Sequence, residues 1–438
     1  MERNDSTYRQ YCQILRDELQ MATGCTEPIA IAYCAAKARS VLHQDPVRVD
    51  IHVSGNIIKN VKSVIVPGTG GMKGIETAAA AGIVVGHAER KLQVLGQVQE
   101  EEREKIRQFL DRVPIHVSKL EGTDPLEILI ELWGENENSS VRICHAHTHI
   151  VHFCYNGQEL PVSAGGLEDD VPKADKSALS IDKICAFADC LHIDDVQEVL
   201  DRQMDCNTAI AREGLHGNWG ARVGKIMLAT GDGSVRTRAK AMAAAGSDAR
   251  MSGCEMPVVI NSGSGNQGMT VSLPVIEYFN ASGLPREMLY RSLAVSNLCA
   301  IHAKEHIGEL SAYCGAVTAG SAAAAGIAYL KTRDPVVVAH TIVNSLAITN
   351  GIICDGAKPS CAAKIAYAID AGIFGMEMYL NGSQFYGGDG IIAKGIENTL
   401  KNVGILGSEG MRQTDQTILD IMLESPKAGS VSGCKKPR

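Results

Sequence analysis

The chain has 438 residues, a formal net charge of -8, 45% hydrophobic residues and 21% charged residues. That length exceeds one ordinary core and the composition is that of a compact globule, which excludes disordered and fibrous classes. Acidic and basic residues are interleaved rather than gathered on a basic face, so no nucleic-acid partner is expected.

In chain order, residues 6–19 carry helical periodicity, and a second helix is expected after Gly24-Cys-Thr-Glu-Pro28, with Thr26 as its cap and Pro28 in its first turn. Cys25 then sits at a helix N-terminus. Residues 47–53 alternate, 63–66 form a short apolar run, and Gly68-Thr-Gly-Gly-Met-Lys-Gly74 leads into an Ala-rich helix. A charged helix is predicted over 100–112, and antiparallel strands over 114–117, 126–133, 141–149 and 150–155. From Ala178 the pattern changes to successive Ala-rich helices, broken by a strand-like run at 257–260 just before a glycine cluster. Small residues at 241–245 and 322–325 allow helix backbones to approach closely. The fold expected is an α+β N-terminal domain with antiparallel strands (1–170, carrying Cys25), followed by a mainly α-helical C-terminal domain (177–438). The polar stretch 165–175 is the expected linker.

Fourteen cysteines are scattered through a long chain whose start is polar and charged, with no signal peptide in evidence. A reducing cytoplasm is therefore expected, where unpaired thiols serve as metal ligands or as small core residues. The most apolar long stretch, 315–330, is Ala/Gly-rich and stops at Lys331. It falls short of the roughly 20 apolar residues of a membrane span, so no membrane is expected.

The strongest chemical signal is Cys354-Asp-Gly-Ala-Lys-Pro-Ser-Cys361, two thiols flanking a turn-rich loop, with Cys314 just ahead of another helix. Three thiolates on a four-iron cluster leave one iron open, and an open iron is a Lewis acid able to grip a leaving group. On spacing alone, buried structural cysteines explain the same pattern. Cys25, at a helix start, would have its thiolate favoured by the helix dipole and so suit a base or nucleophile; a small buried cysteine is the plain alternative.

Ser262-Gly-Ser-Gly-Asn-Gln-Gly268 nominally fits a dinucleotide fingerprint. The following Met-Thr-Val-Ser-Leu-Pro does not read as a clean helix, and no βαβ alternation surrounds it. A nest of backbone N–H groups around Ser262, Ser264, Gly265 and Asn266 would instead suit a small carboxylate, and Gly68 to Gly74 with Lys73 is a second candidate anion loop. Either is also consistent with a plain tight turn. His302-Ala-Lys-Glu-His306 matches the H-x-x-E-H spacing of inverted zinc peptidases, although an ordinary helix surface accounts for it. His145, His147 and His149 would share one face of a strand.

Taken together, Gly24-Cys-Thr-Glu-Pro28, Val66-Pro-Gly-Thr-Gly70, Ser262 to Gly268, Cys314-Gly-Ala-Val-Thr-Ala-Gly320, Ile353-Cys-Asp-Gly-Ala-Lys358, Gly388-Asp-Gly390 and Glu409-Gly-Met-Arg412 run over nearly the whole chain. In this order they resemble the L-cysteine desulfidase family, relatives of the iron-sulfur L-serine dehydratases (alpha chain). The resemblance implies that Cys314, Cys354 and Cys361 ligate a [4Fe-4S] cluster with one open iron and that Cys25 acts as proton acceptor. His302 and Glu305-His306 fall outside the family pattern. The expected activity is β-elimination of L-cysteine to hydrogen sulfide, pyruvate and ammonia. An L-serine dehydratase with the same cluster, and a non-enzymatic redox or cysteine sensor, are the alternatives. The expected partner is a small amino acid, with self-association into a homo-oligomer left open.

Overall fold

The computed structural model describes residues 1–96, 98–120, 124–162, 174–308 and 310–424. The linker expected at 165–175 lies outside these residues except for 174 and 175. The N-terminal part is α+β and the remainder mostly helical, as the sequence suggests. Among the described residues no helix is long and apolar enough to cross a membrane.

Helix α1 (Ser6–Glu18) is followed by a short strand β1 (Met21–Thr23) and by α2 (Thr26–Arg39). Strand β2 (Arg48–Val53), α3 (Gly55–Val61), α4 (Ile75–Val85) and α5 (Glu100–Arg112) come next. Strands β3 (Ile115–Lys119), β4 (Glu127–Trp133), β5 (Asn138–Cys144), β6 (Ile150–Tyr155) and β7 (Gln158–Glu159) complete a six-stranded sheet of order β3-β2-β4-β5-β6-β7. All of its pairings are antiparallel except one. β3 runs parallel to β2, because three helices lie between them and supply the crossover that parallel pairing requires. The strand expected over 141–149 ends at Cys144, where His145 turns to φ 68°, so 145–149 form a turn and the three histidines share no strand face.

The helical part contains α6 (Ile181–Cys190), α7 (Gln197–His216), α8 (Val223–Thr230) and α9 (Val235–Met251). Strand β8 (Pro257–Val259) precedes α10 (Gly265–Asn280), α11 (Arg286–Ile307), α12 (Gly315–Thr332), α13 (Pro335–Thr349) and α14 (Cys361–Leu380). The described residues end with α15 (Ile396–Ile405) and α16 (Arg412–Glu424).

Two large hydrophobic cores stand out among the described residues. One joins the sheet to α2, α4 and α5; the other fills the helical part. The chain crosses between them at both ends. Tyr8 and Tyr11 of α1 pack on Phe187 in the helical core, and Leu419 of α16 joins the sheet-side core. The buried Lys59 of α3 pairs with Asp415 of α16, a second tie across the molecule. A third is the β1–β8 ribbon, which was not foreseen: Met21 pairs with Val259 and Thr23 with Pro257.

Helix α12 is the axis of the helical part. Every residue from Val317 to Leu330 is buried, and small side chains let α14 lie directly on its backbone. A Cβ on Gly320 would come within 2.6 Å of the Ala368 carbonyl carbon. Because α12 and α14 begin beside Cys314 and at Cys361, that close approach also sets the spacing of two candidate ligands. Gly320→Ala is therefore expected to lower the unfolding free energy by about 1–3 kcal/mol through overpacking. Gly351→Ala, where a Cβ meets nothing within 4 Å, should change it by less than about 0.5 kcal/mol. Denaturation midpoints that move equally for both variants would contradict this packing account.

Candidate active site

Four helices begin at one cavity of about 120 Å³. Cys25 caps α2, Ser264 caps α10, Cys314 caps α12, and Cys361 is the first residue of α14; all four line the space. The sequence reading placed the α2 cap one residue late, at Thr26. The first turn of a helix leaves its N–H groups without intrahelical partners and carries roughly half a positive elementary charge, so four such ends make a cavity suited to anions.

Local chemistry explains why the helices start there. The β1–β8 ribbon sets Cys25 beside the 262–264 loop, and Gly24 turns the chain at φ 67° against Pro67, where a Cβ would collide at 2.0 Å. An antiparallel bridge between Tyr313 and Ile353 aligns the two cysteine-bearing loops. Cys314 N–H donates to the Ile352 carbonyl at 3.3 Å, and Cys354 N–H to the Ala312 carbonyl at 2.6 Å. Gly356, at φ 96°, lets the 354–361 loop pass the Lys59 carbonyl, which a Cβ would meet at 2.4 Å. The loop then folds back so that the Lys358 N–H donates to Cys361 Sγ at 3.4 Å.

The three thiols thus share one cavity, and none is in a disulfide. Burial, reinforced by the neighbouring Cys354 and Cys361 sulfurs, pushes the Cys314 thiol up to about 12. Burial likewise raises Cys361. Sulfurs that disfavour one another's ionisation need metal cations to be held as thiolates, and this soft, partly desolvated donor set fits an iron-sulfur group. Lys364, paired with Asp355, stands beside them.

Across the cavity, the Cys25 thiol donates to Glu27 Oε2 at 3.2 Å; Thr26 Oγ1 donates to the same oxygen at 3.1 Å and Asn60 Nδ2 to Oε1 at 2.9 Å. Burial and the Glu27 charge push the Cys25 thiol well up, against the opposing pull of Arg250. The dipole-favoured thiolate expected from sequence is therefore not the resting state. Burial would raise the Glu27 carboxyl too, but His147, the Cys25 hydrogen bond and Arg250 hold it below its ordinary value. The proton resides on sulfur and the charge on the carboxylate.

The 262–268 segment is a nest, with Ser262 at φ 48° and Gly263 at φ 74°, and it does open a helix, contrary to the sequence reading. Helix α10 is buried on nearly every side, so no amphipathic stripe announced it. Its preceding strand belongs to a two-stranded antiparallel ribbon rather than a βαβ unit, which argues against a dinucleotide. Ser262, Ser264 and Asn266 line the cavity; Gly265 does not, being packed against Arg250 and Val258. The Ser264 hydroxyl is engaged as the α10 cap. The Gly68 to Gly74 loop and Lys73 lie outside the lining, with the Gly68 carbonyl bound by Arg103.

Several lining residues escaped the sequence reading: Glu27, Asn60, His147, Arg250 and Lys304. Glu27 was visible within the Gly-Cys-Thr-Glu-Pro motif, whereas nothing in the sequence sets Arg250 and Lys304 apart from surface charges. His147 reaches the cavity only because 145–149 is a turn rather than a strand, which lays its ring beside Gly263. Among the described residues, Arg250 Nε, Asn266 Oδ1, Gln267 Oε1 and Tyr313 OH are buried with no hydrogen-bond partner. Each unsatisfied group costs about 1–3 kcal/mol, and their clustering in one cavity fits a polar ligand.

Residues 89–420 match the family described as serine dehydratase alpha chain, a stretch that includes the nest and all three candidate cysteine ligands but not Cys25. A UPF0597 protein of Desulfitobacterium hafniense is 54% identical over 424 residues, covering 97% of this chain and 98% of its own. UPF0597 proteins of Finegoldia magna and Fusobacterium nucleatum are 46% and 42% identical, over 95% and 94% of this chain and 100% and 97% of theirs. The chain belongs to the serine dehydratase alpha-chain family, a group of iron-sulfur lyases.

Proposed function

We propose that the protein is an L-cysteine desulfidase, releasing hydrogen sulfide from L-cysteine by β-elimination to leave pyruvate and ammonia. The observation that carries this reading is the placement of Cys314, Cys354 and Cys361 on the same cavity as the Cys25–Glu27 pair and the 262–266 nest. The three cysteines would hold a [4Fe-4S] cluster. When bound, the cluster supplies a Lewis-acidic iron for the leaving sulfur, since three protein thiolates leave one of four irons without a protein ligand.

The rest follows from the chain's own groups. The substrate carboxylate is received by the N-terminus of α10 and the buried Arg250 guanidinium, which has no ion pair of its own among the described residues, while the Ser262 hydroxyl donates to Asn261 Oδ1 at 2.9 Å and fixes the nest. Cys25 is the base for the Cα proton. Its thiol proton must first leave; the positive charge of Arg250 favours that loss, while Glu27, 3.2 Å away, orients the thiol by accepting its hydrogen bond. Cys25 sulfur then takes the Cα proton as the Cβ–S bond breaks, giving aminoacrylate and sulfide. Tautomerisation and hydrolysis yield pyruvate and ammonia. Walls formed by Ala316, Ala357 and Ile365 keep water from competing for the thiol.

L-serine is the second reading, favoured by the family's printed description. Turnover of the anaerobically iron-loaded protein on L-cysteine and L-serine side by side separates the two: faster release of sulfide than of pyruvate from L-serine supports the desulfidase, and the reverse order assigns a serine dehydratase. Turnover of neither substrate would refute both.

Arg250→Gln and Asn266→Ala are each expected to raise KM about 10- to 100-fold, the loss of about 1.5–3 kcal/mol of charge-assisted or buried hydrogen bonding. Iron content should stay at the wild-type level. Unchanged kinetics in both variants would remove this side of the cavity from substrate binding.

A further inference from the structure

A cluster outside the active cavity has the donors of a metal site. His302 and His306 lie one turn apart on α11, their rings 5.3 Å between centroids. Glu397, in the first turn of α15, faces them with Oε2 2.6 Å from His302 Nε2. The three residues each offer one ligand atom, and these atoms all lie within 4.8 Å of one another.

The surroundings are built for close approach. His302 is only 6% exposed, so this is not the ordinary helix surface expected from sequence. The α15 backbone reaches α11 at Gly404, where a Cβ would come within 2.6 Å of His306 Cβ. Glu397 is itself oriented from behind, its Oε1 accepting the Ile181 N–H at 2.9 Å, the kind of outer support that metal-ligating carboxylates carry. His306 Nε2 is buried and has no hydrogen-bond partner among the described residues. Glu305, the glutamate of the H-x-x-E-H spacing, turns away to Lys176 at 2.8 Å, so the arrangement is not that of an inverted zinc peptidase.

We propose that His302, His306 and Glu397 bind one divalent transition-metal cation of the zinc class. Two imidazoles and one carboxylate suit zinc rather than magnesium or calcium, and water completes a tetrahedral shell. None of the three lines the active cavity. The cation would pin the C-terminal turns of α11 to α15, immediately before the loop that delivers Cys314. Ser311 of that loop already holds the Gly407 carbonyl at 2.6 Å, just beyond α15.

The test is equilibrium dialysis of the full, iron-loaded chain against Zn²⁺, with zinc and iron both measured and zinc-edge X-ray absorption recorded. One zinc per chain is expected, in a shell of nitrogen and oxygen at about 2.0–2.2 Å with no sulfur at about 2.3 Å. His306→Ala and Glu397→Gln should each weaken zinc binding at least tenfold with iron content unchanged. Glu397→Gln preserves shape at a half-exposed carboxylate, so it serves if the histidine variant fails to fold. Absence of stoichiometric zinc, sulfur in its shell, or undiminished binding in a folded Glu397→Gln variant would each overturn the proposal.

Discussion

The structure depends on four helix N-termini being held against one another. Like ends of helix dipoles repel, and first-turn N–H groups lose water when gathered into a cavity, so the arrangement is unfavourable unless something negative occupies it. Two small antiparallel contacts enforce it. The β1–β8 ribbon ties the start of α2 to the start of α10, and the Tyr313–Ile353 bridge ties the start of α12 to the loop before α14. Close packing of α12 on α14 at Gly320 fixes the remaining distance.

This constraint accounts for the chemistry found there. Thiolates and carboxylates are the anions the helix ends favour. The cavity supplies the three thiols and Glu27 itself, and leaves room for the carboxylate of a small amino acid. Charge is arranged asymmetrically. Glu27 holds a negative charge beside Cys25, whereas Arg250 stands without an ion pair of its own among the described residues, beside the nest. The unpartnered polar atoms at Asn266, Gln267 and Tyr313 are groups whose hydrogen bonds a polar ligand would satisfy.

Much of this was legible in the sequence where local rules apply. The helix over 100–112 matches α5 residue for residue because its charged face and acidic first turn are a strong amphipathic signal. Cys25 and Cys314 were both placed at helix starts from the residues around them, whereas the helix that begins at Cys361 was read only as the end of a turn-rich loop. What was not legible depends on long-range pairing or complete burial. Three residues, Met21 to Thr23, are too few to announce a strand, and the parallel partnership of β3 is decided by the helices between β2 and β3. Helix α10 escaped because it is buried nearly all round and carries Pro274. His147 was misplaced because a left-handed His145 ends the strand early. Arg250 and Lys304 could not be told from surface charges until their burial was seen.

The central claim is that one cavity holds two kinds of cysteine, three that ligate the cluster and one that moves a proton. Iron and sulfide content measured beside turnover, for Cys25→Ala and for alanine variants of Cys314, Cys354 and Cys361, tests it most directly. The account predicts that Cys25→Ala retains about four irons and four sulfides per chain while losing about a hundredfold to ten-thousandfold in rate. Each of the other three variants should lose or degrade its cluster. Loss of iron from Cys25→Ala to the same degree would make Cys25 a fourth ligand, leave no open iron, and contradict the account.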